Sequence, residues 1–274
     1  MIDRDLIKRA LEEDLSGGED ITSVATVSDS EKIAADFVTR KAGVIAGIDM
    51  ARAVLEEVGI TDITLFVQDG AQVKAGELLM TARGDTRAIL LAERTALNFL
   101  GHLSGIATLT NSWVRAVAGT KTKIRDTRKT TPGMRQLEKY AVRMGGGTNH
   151  RMGLYDSALI KDNHIAAAGS VSAAFSKVLA KYPDADIEIE VDNLDQLREI
   201  LLFKPDLILL DNMSVELCAQ AVAIVSGAAK LEASGGLTIE NAKTYALTGV
   251  DYLAIGALTH SAPNFDIGLD MRKE

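Results

Sequence analysis

The chain has 274 residues, 47% of them hydrophobic, 25% charged and 4% aromatic, with a formal net charge of −8. That length suits about two domains, or one barrel with an extension, and the apolar fraction is ample for a sizeable core. The acidic balance and the scarcity of aromatics for base stacking exclude a nucleic-acid binder, and no apolar run approaches the ~20 residues that span a bilayer.

In chain order, MIDRDLIKRALEEDL opens an amphipathic helix that ends near Leu15, with Leu6, Ile7, Ala10 and Leu11 on one face. It is too acidic for a secretory signal, so a cytoplasmic protein is expected. Strand candidates follow at 34–39, 44–46, 63–67 and 78–82, with a helix at 50–58 between them. The stretch FVQDGAQVKAGELLMTARG resembles the hammerhead strands of biotinyl and lipoyl carrier modules. No lysine sits at a hairpin tip to accept a cofactor, however, and the strand runs through Gly84 into a long helix, so the stretch reads as structural sheet. Residues 86–118 are helical almost without pause. Taken alone, Arg94 and His102 in this run read as an ordinary surface arginine and a polar helix residue.

After Lys121 the rhythm becomes strand, loop, helix, repeated. Strands are expected at 122–125, 158–161, 187–191, 207–210, 230–233 and 252–255, and helices at 134–144, 171–181, 194–202, 215–225 and 239–246. Short apolar strands alternating with amphipathic helices predict parallel strands joined by right-handed crossovers. Polar groups fall at or just past the C-terminal end of all six strands, as in a barrel whose strands share one mouth; an open sheet would draw them from two or three strands. With six strands the barrel is expected to be incomplete. The single cysteine, Cys218, lies in the apolar pattern VELCAQAVAIV and reads as a buried thiol, unable to form an intramolecular disulfide.

Charge is not evenly spread. From Lys121 to His164 ten Lys/Arg residues face four Asp/Glu inside this acidic chain. Arg128, Lys129, His150, Arg151 and Lys161 stand in or beside the loops RDTRKTTPG and GGGTNHRMGLYDSALIKDNH, where solvated helix charges would not be placed. Such loops let amides approach a ligand while cations hold it, so the expected site is a pocket for a small, highly anionic substrate. Glu190 and Asp211 end two successive strands in the same mouth, suited to holding Mg²⁺ or stabilising positive charge, or else to balancing Lys161 or Arg128. Spacing alone favours Glu190 over Asp192 only weakly. No His/Cys spacing suggests zinc. The turns at Ser234, Gly235 and Gly236 and at Gly256 follow the last two barrel strands, a recurrent phosphate site. His260 reads as incidental.

RDTRKTTPG, KYAVRMGGGTNHRMGLYDSALIKDNH, EIEVDN, LILLDN, EASGG and the helix ERTALNFLGHLSGIAT together resemble the quinolinate phosphoribosyltransferase family over nearly the whole chain. The resemblance implies an α/β fold: an N-terminal α/β sandwich at 1–103, an open α/β barrel at 104–262 with its active site at the C-terminal ends of the strands, and a tail at 263–274 returning to the first domain. It also implies transfer of phosphoribosyl from 5-phosphoribosyl-1-pyrophosphate to quinolinate with Mg²⁺, releasing nicotinate mononucleotide, pyrophosphate and CO₂. Lys129, Glu190 and Asp211 would then be catalytic, with Mg²⁺ at Glu190 and Asp211. Arg128, His150 and Arg151 would hold the two carboxylates, joined by Arg94 from the partner subunit of a homodimer. Thr127, Lys129 and Lys161 would bind substrate, and Ser234, Gly235, Gly236 and Gly256 would cradle the 5-phosphate.

The nearest alternative is a phosphoribosyltransferase acting on nicotinate or another aromatic acid without decarboxylation. One carboxylate would not require four such cations, and CO₂ release separates the two. A barrel lyase using Lys129 or Lys161 as a Schiff-base nucleophile would be trapped by borohydride. A carrier module would show a covalent lipoyl or biotinyl mass.

Overall fold

The structure, a computed structural model, describes residues 2–273. The chain begins with α1 (Arg4–Leu15), α2 (Ile21–Thr26), β1 (Lys32–Thr39), β2 (Gly43–Val44), α3 (Ile48–Glu57), β3 (Asp62–Leu65), β4 (Gln72–Val73), β5 (Leu78–Asp85) and the long α4 (Thr86–Ala116). There follow β6 (Lys123–Arg125), α5 (Arg135–Met144), β7 (Ala158–Ile160), α6 (Asp162–Ala168), α7 (Val171–Lys181), β8 (Ile187–Val191) and α8 (Leu194–Leu201). The last part runs β9 (Leu207–Asp211), α9 (Val215–Val225), β10 (Lys230–Ser234), α10 (Ile239–Leu247), β11 (Tyr252–Ala254), α11 (Ala257–His260) and β12 (Ile267–Arg272).

These elements form two compact units. One comprises the chain up to Leu109, Leu137–Gly146 and the segment from Ser261 onward. Its main sheet is antiparallel in the order β12-β1-β5-β3, so the last strand of the chain pairs with the first. Residues of β1 bury one face and part of the other, and Phe37 at its centre is fully buried beside Met80 of β5, its cross-strand partner. Truncating Phe37 to alanine would cost about 3–5 kcal/mol through lost burial and a cavity. The outer face is tied by Asp36, which accepts from Thr81 Oγ1 at 2.6 Å and from Arg272 Nε at 2.9 Å across three neighbouring strands.

The other unit, Thr110–Gln136 with Gly147–His260, carries a parallel sheet in the order β6-β11-β10-β9-β8-β7. Each strand pairs with the next in sequence, except that β6 pairs with β11 and not with β7. That order is a barrel opened along one seam, as expected. Sequence makes the helices begin where they do. Ser170, Asn193, Ser214 and Thr238 each cap the helix that follows by accepting from its first-turn amides, starting α7 after α6, and α8, α9 and α10 just past a strand's C-terminal end. Each cap is worth ~1 kcal/mol. Along the seam, Thr148 donates to Ile124 O at 2.8 Å and accepts from Asp126 N at 3.2 Å, so the loop lies on the bare edge of β6.

The five helices expected after Lys121 and all six strands fall within two residues of their expected bounds, although α5 belongs mostly to the first unit. Helix α6 was not anticipated. Its segment DNHIAAA buries no residue, so it lacks the apolar stripe that makes a helix legible. Among the described residues no helix is long and apolar enough to cross a membrane.

Candidate active site

Side chains alternate along a strand, so residues two apart share a face and successive ones climb toward the mouth. In the barrel unit that face carries Leu159 then Lys161 from β7, Glu188 then Glu190 on β8, Leu209 then Asp211 on β9, and Glu232 then Ser234 on β10. All of these except Glu188 line one cavity of about 690 Å³, together with Thr127, Arg128, Lys129, His150, Arg151, Gly235, Gly236 and Gly256. Every site residue expected on this unit therefore meets the others there. Arg94 does not: it is exposed on α4, in the other unit.

The cationic wall comes from two loops fastened to each other. Arg135 donates from Nε to Thr130 Oγ1 at 3.0 Å and from Nη1 to Met152 O at 3.1 Å, linking the Arg128 loop to the Arg151 loop. Lys129 is held at its carbonyl by Thr259 Oγ1 at 2.7 Å. Asp156 closes the second loop by accepting from the amides of Met152 at 2.6 Å and Gly153 at 3.0 Å. Arg151 reaches Ser157 O from Nη1 at 2.9 Å. Its burial and the nearby Arg128 charge hold the Arg151 guanidinium below its ordinary range. Two cations kept this close without full hydration are preorganised for an anion.

Opposite them Lys161 Nζ donates to Glu190 Oε2 at 2.7 Å. This ion pair is the charge balance that was one of the two roles expected for Glu190. Asp211 accepts from Asn212 Nδ2 at 2.6 Å, and Asn212 itself holds a left-handed φ of 50°. Carboxylate oxygens of Glu190, Asp192 and Asp211 lie within 4.8 Å of one another, and Asp192 is exposed. A hard-oxygen cluster at a wet mouth fits Mg²⁺, which takes few protein ligands and keeps its waters.

The turns at Gly235, Gly236 and Gly256 leave main chain exposed to the cavity, as a phosphate cradle would require. Gly235 has φ 90°, and a Cβ there would overlap Asn212 Oδ1. Only glycine satisfies both conditions. Beyond it Gly236 leads to α10, whose cap Thr238 accepts from Asn241 N at 3.3 Å. A Cβ on Gly256 would press on Lys129 Cδ at 3.0 Å and His260 Nε2 at 3.3 Å, so main chain, lysine and imidazole crowd one corner. His260 lines the cavity. Nothing local in the sequence marked it, because it arrives there only through the turn of α11.

Below these groups His150 meets a cluster of buried charges, among them Glu232, which the sequence did not single out. His150, 9% exposed, places Nε2 2.6 Å from Glu188 Oε2 and 3.6 Å from Glu232 Oε1. Arg125 donates from Nη1 to Glu232 Oε2 at 2.7 Å and stacks 3.9 Å over the Tyr252 ring. Burial, reinforced by the neighbouring Glu188 charge, pushes the Glu232 carboxyl up to about 7 against the pull of Arg125.

A cationic cavity at the C-terminal ends of parallel strands, with a glycine-lined anion cradle beside paired carboxylates, defines a barrel enzyme for phosphorylated substrates. Sequence comparison narrows the class. Residues 20–104 match the quinolinate phosphoribosyl transferase N-terminal domain, and residues 106–270 match its C-terminal domain. The chain is 54% identical to the nicotinate-nucleotide pyrophosphorylase [carboxylating] of Mycobacterium leprae, covering 98% of this chain and 96% of that one. It is 41% identical to the probable enzyme of the same name from Bacillus subtilis, over 94% and 90% of the two chains. Among solved structures, the nicotinate-nucleotide pyrophosphorylase of Ehrlichia chaffeensis superposes with a TM-score of 0.92 at 42% identity, over 98% of both chains. That of Francisella tularensis gives 0.94 at 39% identity, over 98% and 95%. The chain belongs to the quinolinate phosphoribosyltransferase family.

Proposed function

We infer that this chain is a nicotinate-nucleotide pyrophosphorylase of the carboxylating type, an enzyme of NAD biosynthesis that makes nicotinate mononucleotide, pyrophosphate and CO₂ from quinolinate and 5-phosphoribosyl-1-pyrophosphate. The observation that carries this reading is the convergence of Arg128, Lys129, Arg151 and Lys161 on one cavity with the Gly235–Gly236 cradle. A ring with two carboxylates and a sugar with two phosphorylated ends require that many cations together.

In this reading Arg128 and Arg151 pair with the quinolinate carboxylates, joined by Arg94 supplied in trans in a homodimer. The exposed position of Arg94 on α4 leaves it available to a second copy. Ser234, Gly235, Gly236 and Gly256 hold the 5-phosphate with their amides, and His260 adds a donor at that corner. Lys129, Lys161 and Thr127 attend the donor and the second carboxylate. Mg²⁺ would be held by Glu190 and Asp211, with Asp192 in reach, and when bound it neutralises charge on the leaving pyrophosphate. A cytoplasmic setting belongs to the same reading.

The chemistry follows from electrostatics. Lysine charge stabilises pyrophosphate as its bond to C1 of the ribose breaks. Glu190 and Asp211 face the oxocarbenium-like centre. The pyridine nitrogen closes on C1 and becomes a cation, an electron sink beside the 2-carboxylate. The C2–carboxylate bond then breaks, CO₂ departs, and the carbon takes up a proton. The decisive assay supplies quinolinate, phosphoribosyl pyrophosphate and Mg²⁺ and counts nucleotide against CO₂. Equimolar products support the reading; equal turnover of nicotinate without CO₂ would replace it with the non-decarboxylating alternative.

A further inference from the structure

His150 borders the substrate cavity, yet both of its ring nitrogens face protein groups. Nδ1 accepts a hydrogen bond from the Arg151 amide at 2.8 Å. An amide can only donate, so Nδ1 carries no proton in this arrangement. The ring proton is therefore on Nε2, which faces Glu188 Oε2 at 2.6 Å, with Glu232 Oε1 next at 3.6 Å. A doubly protonated ring would set an N–H against the Arg151 N–H. A metal on Nε2 would force the proton onto Nδ1, with the same conflict. The main chain at this point is fixed a second time, because His150 N donates to Asp126 Oδ1 at 2.9 Å. Asp126 is fully buried and also takes the Asn149 side-chain amide.

The charged groups facing the ring come from three strands and a loop: Glu188 on β8, Glu232 on β10, Arg125 on β6 paired to Glu232, and Arg151 itself. Glu188 and Glu232 are 4% and 0% exposed, and among the described residues no hydrogen-bond donor reaches Oε1 of either. Two buried acids this close to one ring are unexplained by contact with a substrate above them. They are explained if the ring is a strut between the barrel floor and the Arg151 main chain.

We propose that His150 is a neutral positioning residue: its imidazole, protonated on Nε2 toward Glu188 and accepting at Nδ1 from the Arg151 amide, aims the Arg151 guanidinium and does not hold a substrate carboxylate as a cation. Glu188 is its anchor. This rests on the phosphoribosyltransferase reading only for what Arg151 is aimed at. It revises the part expected of His150 as a carboxylate ligand.

The tautomer is read directly by ¹⁵N-histidine NMR of the whole protein, which has four histidines. The set that disappears in His150→Gln should show an unprotonated Nδ1 and a protonated Nε2 throughout neutral pH. An imidazolium there, or the opposite tautomer, overturns the proposal, and this readout needs no catalytic activity. Kinetics give the second arm. Glu188→Leu removes the acceptor and should raise the quinolinate KM about tenfold or more, leaving the phosphoribosyl pyrophosphate KM unchanged. Glu188→Gln keeps an acceptor for Nε2–H and should restore it. Equal loss for both substrates, or a wild-type KM in Glu188→Leu, counts against the strut. Failure of the parent functional reading looks different: no turnover of quinolinate by the wild type, with the tautomer still as stated.

Discussion

Lys161 and Glu190 stand at the ends of neighbouring strands and meet at 2.7 Å between Nζ and Oε2. The pair keeps a buried acid and a half-exposed cation in place before any substrate arrives. If Glu190 only balanced Lys161, removing both would recover what removing one loses. We expect otherwise, because each has its own part in the chemistry. Lys161→Met should lower kcat/KM roughly 100-fold or more, and Lys161→Met with Glu190→Gln should be no better. Recovery in the double variant would reduce the pair to charge compensation.

Gly235 is a second point of sensitivity. Its φ of 90° and the overlap of any Cβ with Asn212 Oδ1 act together. Gly235→Ala should cost about 1–3 kcal/mol of stability and raise the KM for the phosphoribosyl donor more than that for quinolinate. Urea unfolding and a two-substrate kinetic matrix measure both. An alanine variant with native stability and an unchanged donor KM would mean that the turn is not the phosphate cradle.

Arg94 offers a test of assembly. If each site takes Arg94 from the partner, Arg94→Ala and Lys129→Ala proteins, each inactive alone, should regain activity when unfolded and refolded together. Random pairing into dimers places one intact site in half of them, so about a quarter of wild-type activity should return. No recovery on mixing would put Arg94 in its own subunit's site or in none.

Glu232 should leave a mark on stability. Its folded carboxyl titrates at about 7 against an ordinary 4.5, because burial and Glu188 disfavour the anion. The folded state thus holds the proton more tightly than the unfolded state. The contribution is fully present below pH 4.5 and lost as pH rises to about 7. Glu232→Gln, which cannot ionise, should gain on the wild type over that window when the two are compared by urea unfolding. A constant difference between them across the window would show that Glu232 is ionised throughout.

How much of this could be read beforehand differs between scaffold and site. The barrel strands and their helices were legible because short apolar runs alternate with amphipathic helical stripes from element to element. Elements that bury little, such as α6, or that span four residues, such as α11, give no such agreement. The charges of the mouth were visible as an inversion of sign. Depth was not. In EIEVDN the acids at 188, 190 and 192 share a face and look equivalent, yet they end as core anchor, cavity wall and exposed rim. That ranking depends on how the strands stagger, a property of the whole sheet. Glu232 was missed for the same reason, and His260 because its place depends on the turn before it.

An open barrel keeps two unpaired borders, and such borders are where chains stick to one another. Here Thr148 already occupies part of one, on β6, while β7 at the other has only three residues. Neither offers a run long enough to recruit a foreign strand. The loop that carries His150 and Arg151 therefore also covers main-chain groups of a sheet edge, and shortening it would bare that edge to strand addition as well as disturb the site.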